Sequence, residues 1–390
     1  GGAPYSNLFI IGGIWDLVVW RAYFDSRGEV AAGDLVIFSK AFNVEDLAFI
    51  ADFSVASGFS VIAYEDELSL KDKLAQKDYD NLFLSHLSDA FSGYALRCNP
   101  GASVTVLYEG LAAYVPPRAI HPQLHVIDTY VFYGESLPVP GFIPQGKVVH
   151  ISPELLRRSI DYFASQLSIE KSELEELRSA GLLVVGQHFH RHNLISWEDE
   201  FEIYCNGISQ HRGSTLGLVY WKEHPRSAQA FFPKLNSRNR GLTQLGSNKL
   251  VPVELYASYF RDDVIILGIC SNTLFNLKDF FGFETHSLLD ESALAKFNYG
   301  RIERMALINF WGYVYLNKDV SISPELISGA FGYNLEEIHA SKLMSKSKGP
   351  AKSKGPAKSK GPKHPNRYVR FFRRQINRWI KIFGLEIVYR

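Results

Sequence analysis

Two short segments place proton-moving side chains at the ends of apolar runs. The run Ser103–Tyr108 reads as a strand, and Glu109-Gly110 follows it directly, ahead of a helical start at Leu111-Ala112-Ala113-Tyr114. In an open α/β sheet, ligands gather beyond the carboxyl ends of the strands. A carboxylate placed there, Glu109, can act as general base on a hydroxyl. An ordinary solvated Glu at a helix start has the same local pattern. The second segment, Tyr220-Trp221-Lys222-Glu223-His224-Pro225-Arg226, continues the apolar run that begins at Gly217. Pro225 lacks an N–H, fixes its own φ and biases His224 toward an extended backbone. An imidazolium held still at a strand end can pair with a phosphate and protonate it as it leaves. His121-Pro122 and His364-Pro365 lack that preceding strand, so the dipeptide alone decides nothing.

Other groups suit ligands less specifically. Gly12-Gly13 follows the apolar run Asn7–Ile11. It is no dinucleotide fingerprint, and it either admits a substrate close to the backbone or makes a tight turn. Cys270-Ser271-Asn272-Thr273-Leu274 follows the run Val264–Ile269, and hydroxyls and N–H groups at a helix start can bind phosphate. The acid clusters Glu65-Asp66-Glu67 and Glu198-Asp199-Glu200 read as solvated helix-start charges rather than metal ligands. His188, His190 and His192 would share one face of a strand, as a metal site could use. With no acid or Cys partner evident, a cleft-lining loop is the better reading. Walker A, Gly-x-Ser-x-Gly and His-Glu-x-x-His sequences are absent.

The elements that must hold these groups alternate. Strand patterns at Asn7–Ile11, Leu35–Ser39, Ser60–Ala63, Asn81–Leu84 and Ser103–Tyr108 are separated by helical or polar stretches such as Trp15–Phe24, Val44–Ser57 and Leu68–Gln76. Short apolar runs bounded by turn signals predict strands buried on both faces of a parallel sheet. Leu8–Ile11 lacks a basic leader and reads as the first strand rather than a signal peptide. Ser152-Pro153-Glu154 predicts a capped helix start, and Ser168-Ile169-Glu170-Lys171 opens a second helix. A second alternating series follows at Leu182–Gly186, Gly217–Trp221, Val264–Ile269 and Ala306–Phe310. The expected fold is α/β, with two Rossmann-like lobes facing across a cleft, residues 5–150 and 181–340. That is the GT-B architecture of glycosyltransferases, a pattern other two-lobed α/β proteins share.

The chain has 390 residues, 46% hydrophobic and 21% charged, which excludes a wholly disordered, collagen-like or coiled-coil protein. No apolar run approaches the ~20 residues of a membrane-spanning helix. Three scattered cysteines, Cys98, Cys205 and Cys270, fit a reducing compartment better than a disulfide framework or a zinc site. The net charge of +1 hides an asymmetry. Of 42 Lys and Arg, 15 lie between Lys342 and Arg390 with one acid, Glu386, leaving 27 basic and 40 acidic residues before them. Residues 342–365 include the repeat Lys346-Ser-Lys-Gly-Pro-Ala, renewed at Lys352 and Lys358, a composition that builds no core. Residues 366–390 place Tyr368, Phe371, Phe372, Ile376, Trp379, Ile380 and Phe383 at helical steps, with Arg367, Arg370, Arg374, Arg378 and Lys381 over much of the rest. A basic amphipathic helix of this kind, with Arg370, Phe371, Arg374 and Trp379 at its centre, suits an anionic membrane surface. A helix docked on the body is the alternative. No nucleic-acid-binding motif accompanies the charge.

The order of the motifs resembles the bacterial GT-B sialyltransferases that use CMP-activated sugars. The nearest are the capsular polysialyltransferases of glycosyltransferase family 38 and the lipooligosaccharide sialyltransferases of family 52, with the Pasteurella-type enzymes beside them. These share an acidic-Gly motif, a His-Pro motif and a Ser/Thr-rich phosphate motif. The resemblance covers roughly residues 5–340. It implies Glu109 as base and His224 as the group that stabilises the leaving phosphate, with Pro225 beside it. Ser271, Asn272 and Thr273 fall on the phosphate motif. Glu254, in Val251-Pro252-Val253-Glu254, falls on a Pro-x-Glu whose acid contacts the ribose. Gly186-Gln187 falls on the donor-facing loop, and Gly12 and Gly13 on the acceptor side. Tyr108 stands where the families carry a second acid, and Asn272 interrupts the usual Ser/Thr pair. The implied reaction is inverting transfer of sialic acid from CMP-sialic acid to a sugar hydroxyl on a polysialyl, capsular or lipooligosaccharide acceptor. No cofactor and no metal are implied. The implied setting is cytoplasmic, peripheral on the inner membrane through the basic tail. Another CMP-linked acid such as Kdo, or a non-catalytic glycan-binding protein, would share the scaffold. Arg21, Arg97, Arg118 and Lys147 are first-lobe cations that an acceptor groove could use, though sequence does not place them there.

Overall fold

The computed structural model describes residues 6–37, 42–62, 67–85, 90–107, 127–134, 145–167, 171–192, 194–213, 215–227, 230–246, 248–269, 271–289, 292–293 and 296–297. Glu109, Arg118, Cys270, the expected strand Ala306–Phe310 and the whole basic tail, with Arg370, Phe371, Arg374 and Trp379, lie outside the described residues.

The first lobe begins with β1 (Asn7–Ile11), α1 (Ile14–Ser26), β2 (Asp34–Ile37), α2 (Val44–Ala56), β3 (Ser60–Val61), α3 (Glu67–Ala75), β4 (Asn81–Leu84), α4 (Ala90–Cys98) and β5 (Ser103–Leu107). Two further strands, β6 (Thr129–Tyr133) and β7 (Val148–Ile151), complete a seven-stranded sheet of order β3-β2-β1-β4-β5-β6-β7, every pairing parallel. Strand order reverses at β1, which pairs with β2 on one side and β4 on the other. That reversal is the topological switch point of a doubly wound sheet. The strands are apolar because both faces are covered: Leu8, Phe9, Ile10 and Ile11 are all buried. On one face Phe9 stacks on its register partner Phe83 at 4.6 Å and meets Trp20 of α1 edge-on at 6.1 Å. Each such aromatic pair adds about 0.5–1.5 kcal/mol beyond its buried area.

Helix α5 (Pro153–Ser165) leads out of this sheet, capped by Ser152, whose hydroxyl accepts from Leu155 N–H at 3.3 Å. It packs along α1, and the buried Ser159 hydroxyl donates to Val18 O at 2.6 Å. Helix α6 (Lys171–Leu177) then leads to β8 (Ala180–Val185). The second lobe continues through α7 (Trp197–Arg212), β9 (Leu218–Lys222), α8 (Phe232–Arg238), β10 (Leu242–Gln244), β11 (Ile265–Gly268), α9 (Asn272–Phe281) and β12 (Glu284–Ser287). Its sheet runs β10-β9-β8-β11-β12, again wholly parallel, with its own switch point at β8. The structure is thus the expected α/β fold of two Rossmann-like lobes. Besides α1, α5 packs against α9 and against the 3-10 segment Val253–Tyr259, so this one helix is sandwiched between both lobes.

Candidate active site

The carboxyl ends of β1, β8, β9 and β11 open on one cavity of about 320 Å³ between the lobes. Gly12, Gly13, Trp15 and Asp16 form its first-lobe wall, with Phe42 and Ile50 beside them. Residues 185–189, 222–226, 249–254, 271–273 and Asn276 form the second-lobe wall. The cavity therefore joins the switch points of both sheets, where general rules for such sheets put ligands.

The first-lobe wall is built by the turn from β1 into α1. Gly12 N–H donates to Asp16 Oδ2 at 2.6 Å, a buried bond that fixes the turn. Gly13 is fully extended, and a Cβ there would meet nothing within 4 Å, so this glycine is not required by packing. Trp15 holds its indole by donating Nε1–H to Tyr133 Oη at 2.9 Å. Arg21 instead stacks on Tyr162 of α5 at 3.5 Å, Arg97 lies over Tyr94, and Lys147 donates to Ile127 O; none of the three lines the cavity. The cavity cations come from the second lobe: Lys222, Arg226 and Lys249. Arg226 reaches across to the Phe42 ring at 5.7 Å, and Lys249 pairs with Asp46 of α2 at 3.6 Å, so both bridge the cleft.

His224 stands two residues beyond β9. Its Nδ1 accepts from Arg226 N–H at 3.0 Å, which assigns the ring proton of the neutral form to Nε2. Its ring lies on that of His188, centroids 3.9 Å apart and planes inclined by 31°. Glu223, also in the wall, is buried, its Oε2 accepting from Trp221 Nε1 at 2.9 Å and Phe231 N–H at 3.1 Å; burial pushes its carboxyl up.

Opposite, Ser271 caps α9, its Oγ accepting from Thr273 N–H at 3.3 Å. Asn272 and Thr273 occupy the first turn, where unpaired N–H groups and the helix dipole favour an anion. Glu254 is wholly buried at the start of the 3-10 segment, Oε1 accepting from Asn276 Nδ2 at 2.8 Å, and burial raises its carboxyl above the ordinary range. Pro225 and Gln187 line the same cavity.

Gly186 has a packing reason to be glycine. A Cβ would approach the Trp221 ring to 2.6 Å and Lys222 O to 3.1 Å, and Trp221 is fully buried. Gly186→Ala should cost about 1–3 kcal/mol by overpacking, read as a lowered midpoint in urea unfolding.

The histidine segment is the expected cleft-lining loop, while the second acid cluster departs from expectation at Glu200; Glu65 and Asp66 of the first lie outside the described residues. Residues Phe189–His192 form a 3-10 turn after the strand, and His188 lines the cavity, as a cleft-lining loop requires. Glu200 is not solvated. It is fully buried in the first turn of α7 and accepts from His190 N–H at 2.8 Å, from Phe189 N–H at 3.3 Å and, through Oε2, lies 2.7 Å from His190 Nδ1. The acid partner absent from the sequence pattern is supplied by the next helix. Among the described residues, no group of three or more His, Cys, Asp or Glu is placed to hold a metal ion.

Lys222 had no assigned role from sequence, yet it is buried at the cavity floor. Nζ donates to Asn248 O at 3.0 Å. Burial lowers its pKa from near 10.5 to about 8, against the opposing pull of Glu223 and Glu254. The folded chain thus releases this proton at lower pH than the unfolded chain. Between pH 8 and 10.5 the unfolded state holds more protons, so stability rises with pH across that window. Relative to Lys222→Met, the native chain should gain roughly 3 kcal/mol there, measured by urea unfolding at successive pH values.

A family model described as alpha-2,8-polysialyltransferase (POLYST) matches residues 7–290, most of the chain and all of the cavity wall. The chain belongs to the alpha-2,8-polysialyltransferase family. It is a sialyltransferase, with a nucleotide-sugar donor and a glycan acceptor as its substrates. No curated protein matches the sequence. Among solved structures, the sialyltransferase chain is similar to an α/β-galactoside α-2,3-sialyltransferase from Photobacterium phosphoreum, at 12% identity and a TM-score of 0.41, covering 72% of this chain and 89% of that one. It is also similar to the UDP-GlcNAc 2-epimerase of Methanocaldococcus jannaschii, at 10% identity and a TM-score of 0.47, over 86% and 99% of the two chains. The UDP-GlcNAc 2-epimerase of Neisseria meningitidis gives 12% and 0.45, over 87% and 100%. Among the described residues, no helix is long and apolar enough to cross a membrane.

Proposed function

We propose that this sialyltransferase moves sialic acid from CMP-sialic acid to a sugar hydroxyl of a polysialyl, capsular or lipooligosaccharide acceptor, with inversion and without a metal ion. One observation carries the reading: His224, the first turn of α9 and the buried Lys222 all line one cavity at the switch point of the second sheet. Nε2–H of His224 donates to a phosphate oxygen as negative charge develops on the departing CMP, and the bond strengthens in the transition state. Thr273 and the α9 N–H groups hold the other oxygens. Lys222 supplies the positive charge beneath them, and Glu254 holds the ribose. CMP carries a single phosphate, so protein donors suffice where a diphosphate would call for a divalent ion. Glu109, as base, takes the proton of the acceptor hydroxyl while that oxygen attacks the anomeric carbon and the bond to phosphate breaks.

The tail from Lys342 to Arg390 gathers the enzyme to the anionic inner leaflet, with Arg370 and Arg374 near headgroups and Phe371 and Trp379 in the interface. Its excess of basic residues over a single acid supports that role.

The test is CMP release from CMP-sialic acid with a sialylated acceptor, with and without EDTA, with NMR of the first-formed linkage. Acceptor-dependent, EDTA-resistant release giving the anomer opposite to the donor's supports the reading. Turnover restored only by a divalent ion, or retention of configuration, would overturn the mechanism.

A further inference from the structure

The loop after β8 is pinned from beneath by two wholly buried side chains of α7. Gln187 N–H donates to Tyr204 Oη at 2.7 Å, and Phe189 and His190 N–H donate to Glu200 at 3.3 and 2.8 Å. Burial pushes the Tyr204 phenol well up, with the Glu200 carboxylate adding to it, so Tyr204 stays an O–H donor toward Glu200. Three backbone N–H groups are thus tied to one helix around a single residue, His188. Its side chain is buried against the cavity, on the ring of His224.

His224 has two independent restraints. The Arg226 N–H bond to Nδ1 sets where the ring sits in its own plane. It does not by itself set the tilt of that plane, because a ring can hinge about the bonded nitrogen. The His188 ring, 3.9 Å away, closes off that motion. We infer that His188 is a positioning residue for His224: a flat shelf, clamped through its own backbone by Glu200 and Tyr204, that fixes the direction of the His224 Nε2–H bond toward the donor phosphate. The inference rests on the proposed role of His224. Glu200 and Tyr204 fix the loop that carries the shelf.

A shelf needs a flat ring and no particular nitrogen, which separates it from a hydrogen-bonding or charged role. The experiment compares kcat and donor KM for His188→Ala, His188→Phe, His224→Ala and the double variant His188→Ala/His224→Ala, with thermal melts of each. His188→Ala should lower kcat about 10–100-fold, the size of effect expected when a catalytic group is misplaced by about an ångström. Donor KM should stay within about three-fold, since the lost contact acts in the transition state. His188→Phe should recover most of the rate. The double variant should be no slower than His224→Ala, because a positioning residue acts only through its partner. Wild-type kcat in His188→Ala, no rescue by Phe, or multiplying defects in the double variant would each overturn the shelf. Wild-type kcat in His224→Ala would overturn the role of His224 and the shelf with it; a normal His188→Ala beside a crippled His224→Ala would overturn the shelf alone. Should His188→Ala fail to fold, the Phe variant against His188→Gln makes the same comparison, with Gln expected to behave as Ala.

Discussion

Replacing His224 with Ala is expected to lower kcat about 10²–10³-fold, the usual cost of removing one preorganised donor from a site of developing charge. Donor KM should move much less. In the ground state the phosphate of CMP-sialic acid is a diester with one negative charge. As the glycosidic bond breaks, the phosphate gathers the charge of a monoester, and the Nε2–H bond becomes stronger at that moment. Two features make the donor preorganised. Arg226 N–H holds Nδ1, so the ring proton already sits on Nε2, and the ring already rests against that of His188 before substrate arrives. His224→Gln supplies an N–H of similar reach without the aromatic face. It should fall between wild type and Ala. Steady-state CMP release at saturating donor checks both. Equal kcat in wild type and His224→Ala would show that α9 and Lys222 carry the phosphate unaided.

How much of this was legible in the sequence depended on burial. Asn7–Ile11 and Asn81–Leu84 appear with the expected bounds because a strand covered on both faces is a short apolar block with polar ends. The second strand is described as Asp34–Ile37, the last two residues of the expected Leu35–Ser39 lying outside the described residues, and the expected Ser60–Ala63 ends at Val61, with Ile62 outside the strand. Strand β12 reads Glu-Thr-His-Ser and went unseen. It is the sheet's outer strand among the described residues, only partly buried, and polar residues are tolerated there. Strand β6, Thr-Tyr-Val-Phe-Tyr, is β-rich in composition but lies beyond the alternation that identified the others.

The site was legible where the residue type itself is unusual at a strand end, as with His224-Pro225. It was illegible where a polar side chain is buried by a neighbour distant in sequence. Glu200 stood in an acid cluster that also makes an ordinary capped helix start, with Ser196 accepting from Asp199 N–H at 3.0 Å. Yet Glu200, Tyr204 and Ile208 follow one another at four-residue steps, and all three are fully buried. An acid on the apolar stripe of its helix was the available signal. Lys222 carried a similar one: it ends a strand whose preceding four residues are apolar, so the sheet that buries Trp221 buries it too.

The same sheet logic bears on the base. All strands of the first sheet run parallel, so β5 ends at Leu107 on the edge where β1 ends at Ile11 and the cavity wall begins at Gly12. Glu109 follows Leu107 by two residues. Glu109→Gln keeps shape and hydrogen bonding but cannot accept a proton at neutral pH. It is expected to lower kcat about 10²–10⁴-fold, the range for loss of a positioned general base. Donor KM and CMP affinity should be nearly unchanged, because the donor-lobe contacts named above do not involve this residue. Glu109→Asp, with the carboxylate withdrawn by one methylene, should fall between the two. The alternative is specific. Asp16 is the carboxylate already in the first-lobe wall, buried and bonded to Gly12 N–H at 2.6 Å. That bond commits one oxygen to the β1–α1 turn, which suits a structural role better than proton uptake. If Glu109→Gln keeps wild-type kcat while Asp16→Asn loses it with an unchanged melting temperature, the base is Asp16 and the acidic-Gly segment is an ordinary helix start. If Asp16→Asn lowers the melting temperature and Glu109→Gln alone abolishes turnover, the two carboxylates divide as assigned, one building the wall and the other working in front of it.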